Sequence, residues 1–305
     1  TTRLGDKLMF AKKINNQPIN YRERYKTNLI KNKSTTENFV KEYIDKKQQP
    51  FYINSSTKFK FISITQLKDF LKFLYRYIQD TRSLHLSDSP LKMIYLKIQK
   101  IIRKIAYDNL RKSNSLPDKY FIFPLQFIPE AATLVQGNKL YDMQTLIEII
   151  SKSLPMDYKL IVKEHKVCLG RRPIKFYKQI LNFHNVELIN ENYNVYDLIR
   201  GSSGVISISS TMGLEAMMMN KPIGVFGDNY YNHSNNVFLM HNLYKIEKKI
   251  KEMINHRFDN NDFLSIIKTI TDSGFDGNLH PKEYRDLHKI PKLSKYIENL
   301  EKHSA

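Results

Sequence analysis

Val205-Ile206-Ser207-Ile208-Ser209-Ser210-Thr211-Met212-Gly213-Leu214-Glu215-Ala216 joins a short apolar run to a helical pattern through three hydroxyl residues. Residues 205–208 read as a buried strand and 211–219 as a helix. Hydroxyls at 209–211 suit a helix N-cap. A junction of this kind leaves backbone N–H groups and the positive end of the helix dipole available to a phosphate. Gly213 lets a ligand or another backbone come close. Glu215 lies one turn beyond Thr211 on the same face, where a carboxylate can accept hydrogen bonds from ribose hydroxyls. An ordinary capped core helix rich in methionine fits the same residues, and this stretch alone does not separate the two.

The alternation extends in both directions. Residues 120–123, 158–162, 186–189 and 223–226 read as further strands, with helices at 143–154, 173–183 and 195–200. Five strands separated by helices imply an α/β fold with a parallel, doubly wound, Rossmann-like sheet. Residues 243–256 and 260–272 look helical, and the chain beyond them reads as helix and extended coil.

The 305 residues carry 49 Lys+Arg against 30 Asp+Glu, a formal charge of +19. That excess favours anionic partners: nucleotide phosphates, acidic glycans, anionic lipid or nucleic acid. The lysine content can equally reflect the base composition of a gene. The single cysteine, Cys168, excludes an internal disulfide and favours a reducing compartment. No apolar run approaches the roughly 20 residues of a membrane span, and no signal-peptide core is visible. A cytoplasmic location is expected, and Thr1 suggests a piece of a longer or processed chain.

Residues 1–60 are polar and weakly periodic, too poor in apolar strands for a complete Rossmann-type domain. Residues 64–77 place Leu67, Phe70, Leu71 and Leu74 at helical spacing. Residues 90–112 place Ile94, Ile98, Ile101, Ile102 and Ile105 on one helical face and Lys92, Lys100, Arg103, Lys104 and Arg111 opposite. This helix is expected to pack its apolar face on a neighbouring domain and to leave the basic face in solvent. A membrane-surface position is the alternative.

Ligands of open parallel sheets bind beyond the carboxyl ends of the strands, so the residues after each strand are the candidates. Besides Ser209–Glu215, two junctions qualify. Lys163-Glu164-His165-Lys166 puts an imidazole at a strand end, able to donate to a phosphate or hold a base. Arg171 and Arg172 follow, and Arg171 is the candidate for a phosphate contact, with a solvated pair as the plain alternative. Pro124-Leu125-Gln126-Phe127-Ile128-Pro129-Glu130-Ala131 offers the amide of Gln126 and the carboxylate of Glu130. Glu130 can serve as a general base or orient an acceptor, or it can simply start a helix after Pro129.

Several chemistries are missing. There is no Walker loop, no GxGxxG after a strand, no zinc spacing and no GxSxG elbow. Asp228-Asn229 lacks an Asp-x-Asp metal pair, so no metal and no cofactor is expected.

Taken in order, these junctions resemble the bacterial capsule polysaccharide biosynthesis family, which includes the Kdo transferases. The segments that carry the resemblance are residues 120–126, 129–133, 160–165, 197–200 and 209–227, within about residues 118 to 240. The resemblance implies a GT-B-like fold, in which two Rossmann-like domains face each other and the C-terminal one holds the sugar nucleotide. It makes His165 and the Ser209, Ser210, Thr211 turn the nucleotide and phosphate contacts, with Glu215 near the ribose; the residues themselves add Gln126 and Gly213 as substrate-binding candidates. Glu130 becomes the candidate catalytic or acceptor-orienting carboxylate. Related CMP-sugar transferases carry a His-Pro pair, whereas here Lys166 follows His165.

The expected division is then 1–60, the end or remnant of an acceptor domain; 61–117, a helical connector; 118–242, the nucleotide-sugar domain; and 243–305, C-terminal helices. The expected function is sugar transfer from a nucleotide donor, CMP-Kdo or similar, to a glycan or glycolipid acceptor. Peripheral contact with the inner membrane or the capsule assembly machinery would accompany it, and no nucleic-acid partner is expected because no recognised motif is present. A nucleotide-sugar epimerase of the same form and a non-catalytic assembly protein that binds a nucleotide sugar are the alternatives.

Overall fold

The structure is a computed structural model that describes residues 2–4, 7–9, 21–31, 34–45, 90–111, 115–126, 142–273 and 275–276, with isolated positions between 68 and 75. Strands β1 (Thr2–Leu4) and β2 (Lys7–Met9) precede helices α1 (Tyr21–Leu29), α2 (Ser34–Asp45) and α3 (Pro90–Leu110). An alternating series follows: β3 (Tyr120–Pro124), α4 (Met143–Ser153), β4 (Lys159–Lys163), α5 (Ile174–Leu181), β5 (Val186–Ile189), α6 (Val195–Gly201), β6 (Gly204–Ser207) and α7 (Thr211–Met218). It closes with β7 (Ile223–Val225), β8 (Val237–Leu239), α8 (Ile246–Ile254), α9 (Asn260–Ser273) and β9 (Phe275–Asp276).

Strands β3 to β8 form one six-stranded sheet in the order β5-β4-β3-β6-β7-β8, parallel throughout. Counted from β3, this is the strand order of the dinucleotide-binding fold, in which the order reverses between the first strand and the fourth. Side chains leave β3 alternately. Phe121 and Phe123 pack with Leu146, Ile147 and Ile180 of α4 and α5, while Tyr120 and Ile122 pack with Leu198, Leu214 and Ile267 of α6, α7 and α9. Helices therefore cover both faces, as the sequence predicts, and the strands read as nearly unbroken apolar runs.

The strand β8 was not expected. Residues 226–236 reach it through turns rather than a helix, and the first turn of α9 holds them. The buried carboxylate of Asp262 accepts hydrogen bonds from the Ser234 hydroxyl and from the Asn235 N–H at 3.1 Å. Asn236 adds a bond from Nδ2 to the Asp259 carbonyl at 2.9 Å.

Helix α1 also escapes sequence periodicity, because its contacts are polar. Asn28 is buried and donates from Nδ2 to Thr269 Oγ1 at 3.1 Å and to Asp272 Oδ2 at 3.3 Å. Tyr25 bonds to Asp262, and Tyr21 and Val40 join the apolar cluster that contains Ile122 and Val205. Strand β2 pairs antiparallel with both β1 and β9, in a separate three-stranded sheet.

Helix α3 reverses an expectation. Its isoleucine stripe is exposed, with Ile98 and Ile102 about half open at 52% and 55%. The basic face meets the domain instead. Arg103 donates to the Arg171 carbonyl at 2.7 Å, Lys104 pairs with Glu191 at 3.2 Å, and the Lys100 carbonyl lies against Gly170. Gly170 has φ +74°, and a Cβ there would collide with that carbonyl, so this turn requires glycine. Tyr107 supplies the apolar contact, fully buried against Tyr177 with Leu110 beside it, while the Arg103 and Lys104 heads find carbonyl and carboxylate partners. Of the predicted 64–77 helix, positions 68, 69, 71, 72 and 75 are described and helical; the rest lies outside the described residues.

Candidate functional site

The reversal of strand order opens a crevice between the carboxyl ends of β3 and β6, the position where such sheets take ligands. Gln126 leaves β3 and Ser209 follows β6, and Gln126 Nε2 donates to Ser209 Oγ at 3.4 Å across the crevice. Several buried polar atoms of this edge have no hydrogen-bond partner among the described residues: Gln126 Oε1, Ser207 Oγ at the end of β6, and Asn229 Nδ2 in the loop after β7. Each such atom costs about 1–3 kcal/mol in an otherwise dry interior. A polar ligand would offset that cost.

The start of α7 is already capped. Ser210 has an extended backbone and its Oγ accepts from Met212 N–H at 3.2 Å, while its carbonyl accepts from Gly213 N–H at 3.1 Å and from the Tyr231 hydroxyl at 3.2 Å. Two of the leading N–H groups are therefore engaged, and the dipole and the exposed Thr211 remain at the helix tip. Gly213 faces inward, where an added Cβ would stand 3.0 Å from the Tyr231 hydroxyl. Its small size makes room for that tyrosine.

Glu215 is half-buried and has no hydrogen-bond partner among the described residues. Burial pushes its carboxyl up to about 7. It lies close enough to Tyr196 to raise that phenol, after burial, to about 12, and the buried Tyr196 hydroxyl also has no partner among the described residues. A carboxyl and a phenol, both desolvated and without a partner among the described residues, can exchange hydrogen bonds with a hydroxylated ligand.

His165 ends the β4 segment and caps the short turn Lys166–Cys168, its Nδ1 accepting from Val167 N–H at 3.3 Å. The ring proton therefore sits on Nε2, which makes that atom a donor. Burial, and then the Arg172 cation, hold the imidazole below its ordinary value, so it is neutral at pH 7. Beneath it the Glu164 carboxylate is buried and closed by Arg172 Nε at 2.8 Å, the Tyr177 hydroxyl at 2.6 Å and the His165 N–H at 2.6 Å. Arg172 Nη2 also donates to the Gln126 carbonyl. One residue earlier, Lys163 is buried and donates to the carbonyls of Asn190, Glu191 and Tyr193 at 3.3, 2.8 and 3.2 Å, which fixes the loop after β5.

The structure thus brings Gln126 and Ser209 together and sets Ser210, Thr211, Gly213 and Glu215 on the adjoining helix. His165 stands one strand away, since β4 neighbours β3. Arg171 is exposed and near Lys100, on the side of α3, while its neighbour Arg172 is the one tied to Gln126. Glu130 lies outside the described residues. Tyr196 joins the site without having been singled out in sequence, while Ser207 is read there only as part of the 205–208 strand and Asn229 only as half of a pair without metal spacing. Among the described residues, no three His, Cys, Asp or Glu side chains converge as metal ligands, and no helix is long and apolar enough to cross a membrane.

Over 123 residues the chain is 28% identical to the capsule polysaccharide modification protein LipB of Neisseria meningitidis, covering 37% of this chain and 29% of the relative. It spans less than a third of that relative's length. Among solved structures it is similar to KpsC of Thermosulfurimonas dismutans, a beta Kdo 2,7 transferase, with 16% identity, a TM-score of 0.37 and coverage of 57% of this chain and 52% of that one. UDP-GlcNAc 2-epimerase of Methanocaldococcus jannaschii gives the same identity of 16% and TM-score of 0.37, over 58% of this chain and 51% of the epimerase. Residues 67–235, which include every described residue of the crevice, match the family model for capsule polysaccharide biosynthesis proteins. The chain belongs to the capsule polysaccharide biosynthesis protein family.

Proposed function

We propose that this chain binds the nucleotide sugar for a glycosyltransferase of capsule or other surface-polysaccharide synthesis. The donor would be Kdo on a CMP carrier or a similar activated sugar, and the acceptor a growing glycan or glycolipid held by a second domain of GT-B form. The observation that carries this reading is the crevice itself: Gln126 Oε1, Ser207 Oγ, Asn229 Nδ2 and the Tyr196 hydroxyl are buried without partners among the described residues, around the sheet edge that carries Glu215 and the tip of α7.

In glycosyl transfer an acceptor hydroxyl attacks the anomeric carbon, the bond from that carbon to the phosphate oxygen breaks, and the nucleotide leaves with the electron pair. Charge gathers on the leaving phosphate. The α7 dipole, the Thr211 and Ser209 hydroxyls and the His165 Nε2–H would meet that charge, rather than a metal ion. Glu215 would take hydrogen bonds from the ribose, and Glu130 would accept the acceptor's proton. The same reading puts the chain in the cytoplasm, at the inner membrane face beside the assembly machinery, with no nucleic-acid partner.

A thermal-shift panel of CMP, UDP and GDP and their sugars tests the donor site on wild type, His165→Ala and Glu215→Ala. Selective stabilisation by one base, lost in both variants, is expected. Silence across the whole panel overturns the reading.

A further inference from the structure

The best-connected polar cluster at the sheet edge is not the one proposed to touch the ligand. Arg172 reaches two adjacent strand ends at once, bonding the Gln126 carbonyl after β3 and the Glu164 carboxylate after β4. Glu164 in turn holds the N–H of His165, and the His165 ring orients on the turn that starts there through Val167 N–H. Tyr177 of α5 closes the remaining side of the carboxylate, and Phe176 lies under the guanidinium with its ring centre 5.4 Å away. A planar guanidinium has donors spread widely enough for both acceptors, whereas a lysine is a single point charge.

We propose that Arg172 and Glu164 are positioning residues, which lock the backbones of Gln126 and His165 in one relative geometry and so present the two side chains to the donor as a preformed set. This rests on the nucleotide-binding reading above. Neither side chain needs to contact the ligand. Their effect passes through the Gln126 carbonyl, the His165 N–H and the turn that keeps the His165 proton on Nε2.

The test combines two readouts on the full chain: the His165 tautomer by ¹⁵N NMR, and affinity for CMP, UDP and GDP by calorimetry. Two variants are compared with wild type. Arg172→Lys keeps the charge and loses the fork, and Glu164→Gln/Arg172→Met removes both charges, so that no buried ion is left unpaired. Wild type is expected to show a single Nε2–H tautomer. Both variants should show a tautomer mixture, and affinity for the preferred nucleotide should fall roughly tenfold or more. If the double variant does not fold, Arg172→Lys decides by the same readouts. A folded variant with the wild-type tautomer, or with unchanged affinity for a nucleotide that wild type binds, overturns the proposal. Should wild type bind none of the nucleotides, the donor-site reading fails, while the tautomer signal still decides the positioning role.

Discussion

Two polar clusters sit side by side at the carboxyl edge of the same sheet, and they differ in how fully they are paired. Around Glu164, both carboxylate oxygens accept hydrogen bonds, from Arg172, Tyr177 and the His165 backbone. Around the β3–β6 crevice, Gln126, Ser207, Asn229 and Tyr196 each keep a buried polar atom without a partner among the described residues, and burial pushes the Glu215 carboxyl up to about 7. Folding accounts for the pairing in the first cluster, since a buried charge must be paired to be tolerated. It does not explain the second, which lowers the stability of the ligand-free chain. The difference separates scaffold from site by energetics rather than by residue type.

Breaking the scaffold should have the largest effect. Glu164→Ala leaves the half-buried Arg172 without its carboxylate and Tyr177 without its acceptor. A loss of about 3–5 kcal/mol is expected for a broken buried pair. Chemical denaturation of wild type and variant measures it. A loss below about 1 kcal/mol would erase the contrast between the clusters.

Glu215→Gln should act in the opposite direction, with a magnitude that depends on pH. The folded carboxyl titrates near 7, above its ordinary 4.5, so the unfolded chain ionises first as pH rises. Stability contributed by the raised value is complete below about 4.5 and is lost as pH climbs through 7. The ligand-free variant should therefore match wild type near pH 4 and exceed it at pH 8. The difference is on the order of 2 kcal/mol, reduced from the full shift because the group is partly open to solvent. Melting curves across that window check it, and a pH-independent difference would remove Glu215 from the unpaired cluster.

The contrast between the clusters was only partly legible in sequence. Strands β3 to β7 were legible because each is buried on both faces and reads as a short apolar run bounded by polar residues. Strand β8 was not, because it is a partly exposed edge reached through turns that Asp262 holds from far along the chain. Periodicity showed that α3 has two faces but not which one meets the domain, since Glu191 and the Arg171 carbonyl attract its cations inward. His165 and Ser209–Glu215 were legible from their places after strands. Arg171 and Arg172 are adjacent in sequence and differ only in direction, and the unpaired state of Tyr196 and Asn229 depends on neighbours distant in the chain.

The smallest predicted effect tests the second cluster most directly. Ser207 is fully buried at the end of β6, and its hydroxyl has no partner among the described residues. Removing a paired hydroxyl from a core normally destabilises, because its partner is stranded and packing contacts are lost. Ser207→Ala strands nothing, and it removes the desolvation cost of the hydroxyl against a small loss of contact. The ligand-free variant should be equal to wild type or more stable by up to about 1 kcal/mol, read by denaturation. The same substitution should weaken binding of the preferred nucleotide, because the hydroxyl is then unavailable to it. Gain without ligand and loss with it together identify a group kept for binding. A destabilised ligand-free variant would instead place Ser207 in the scaffold.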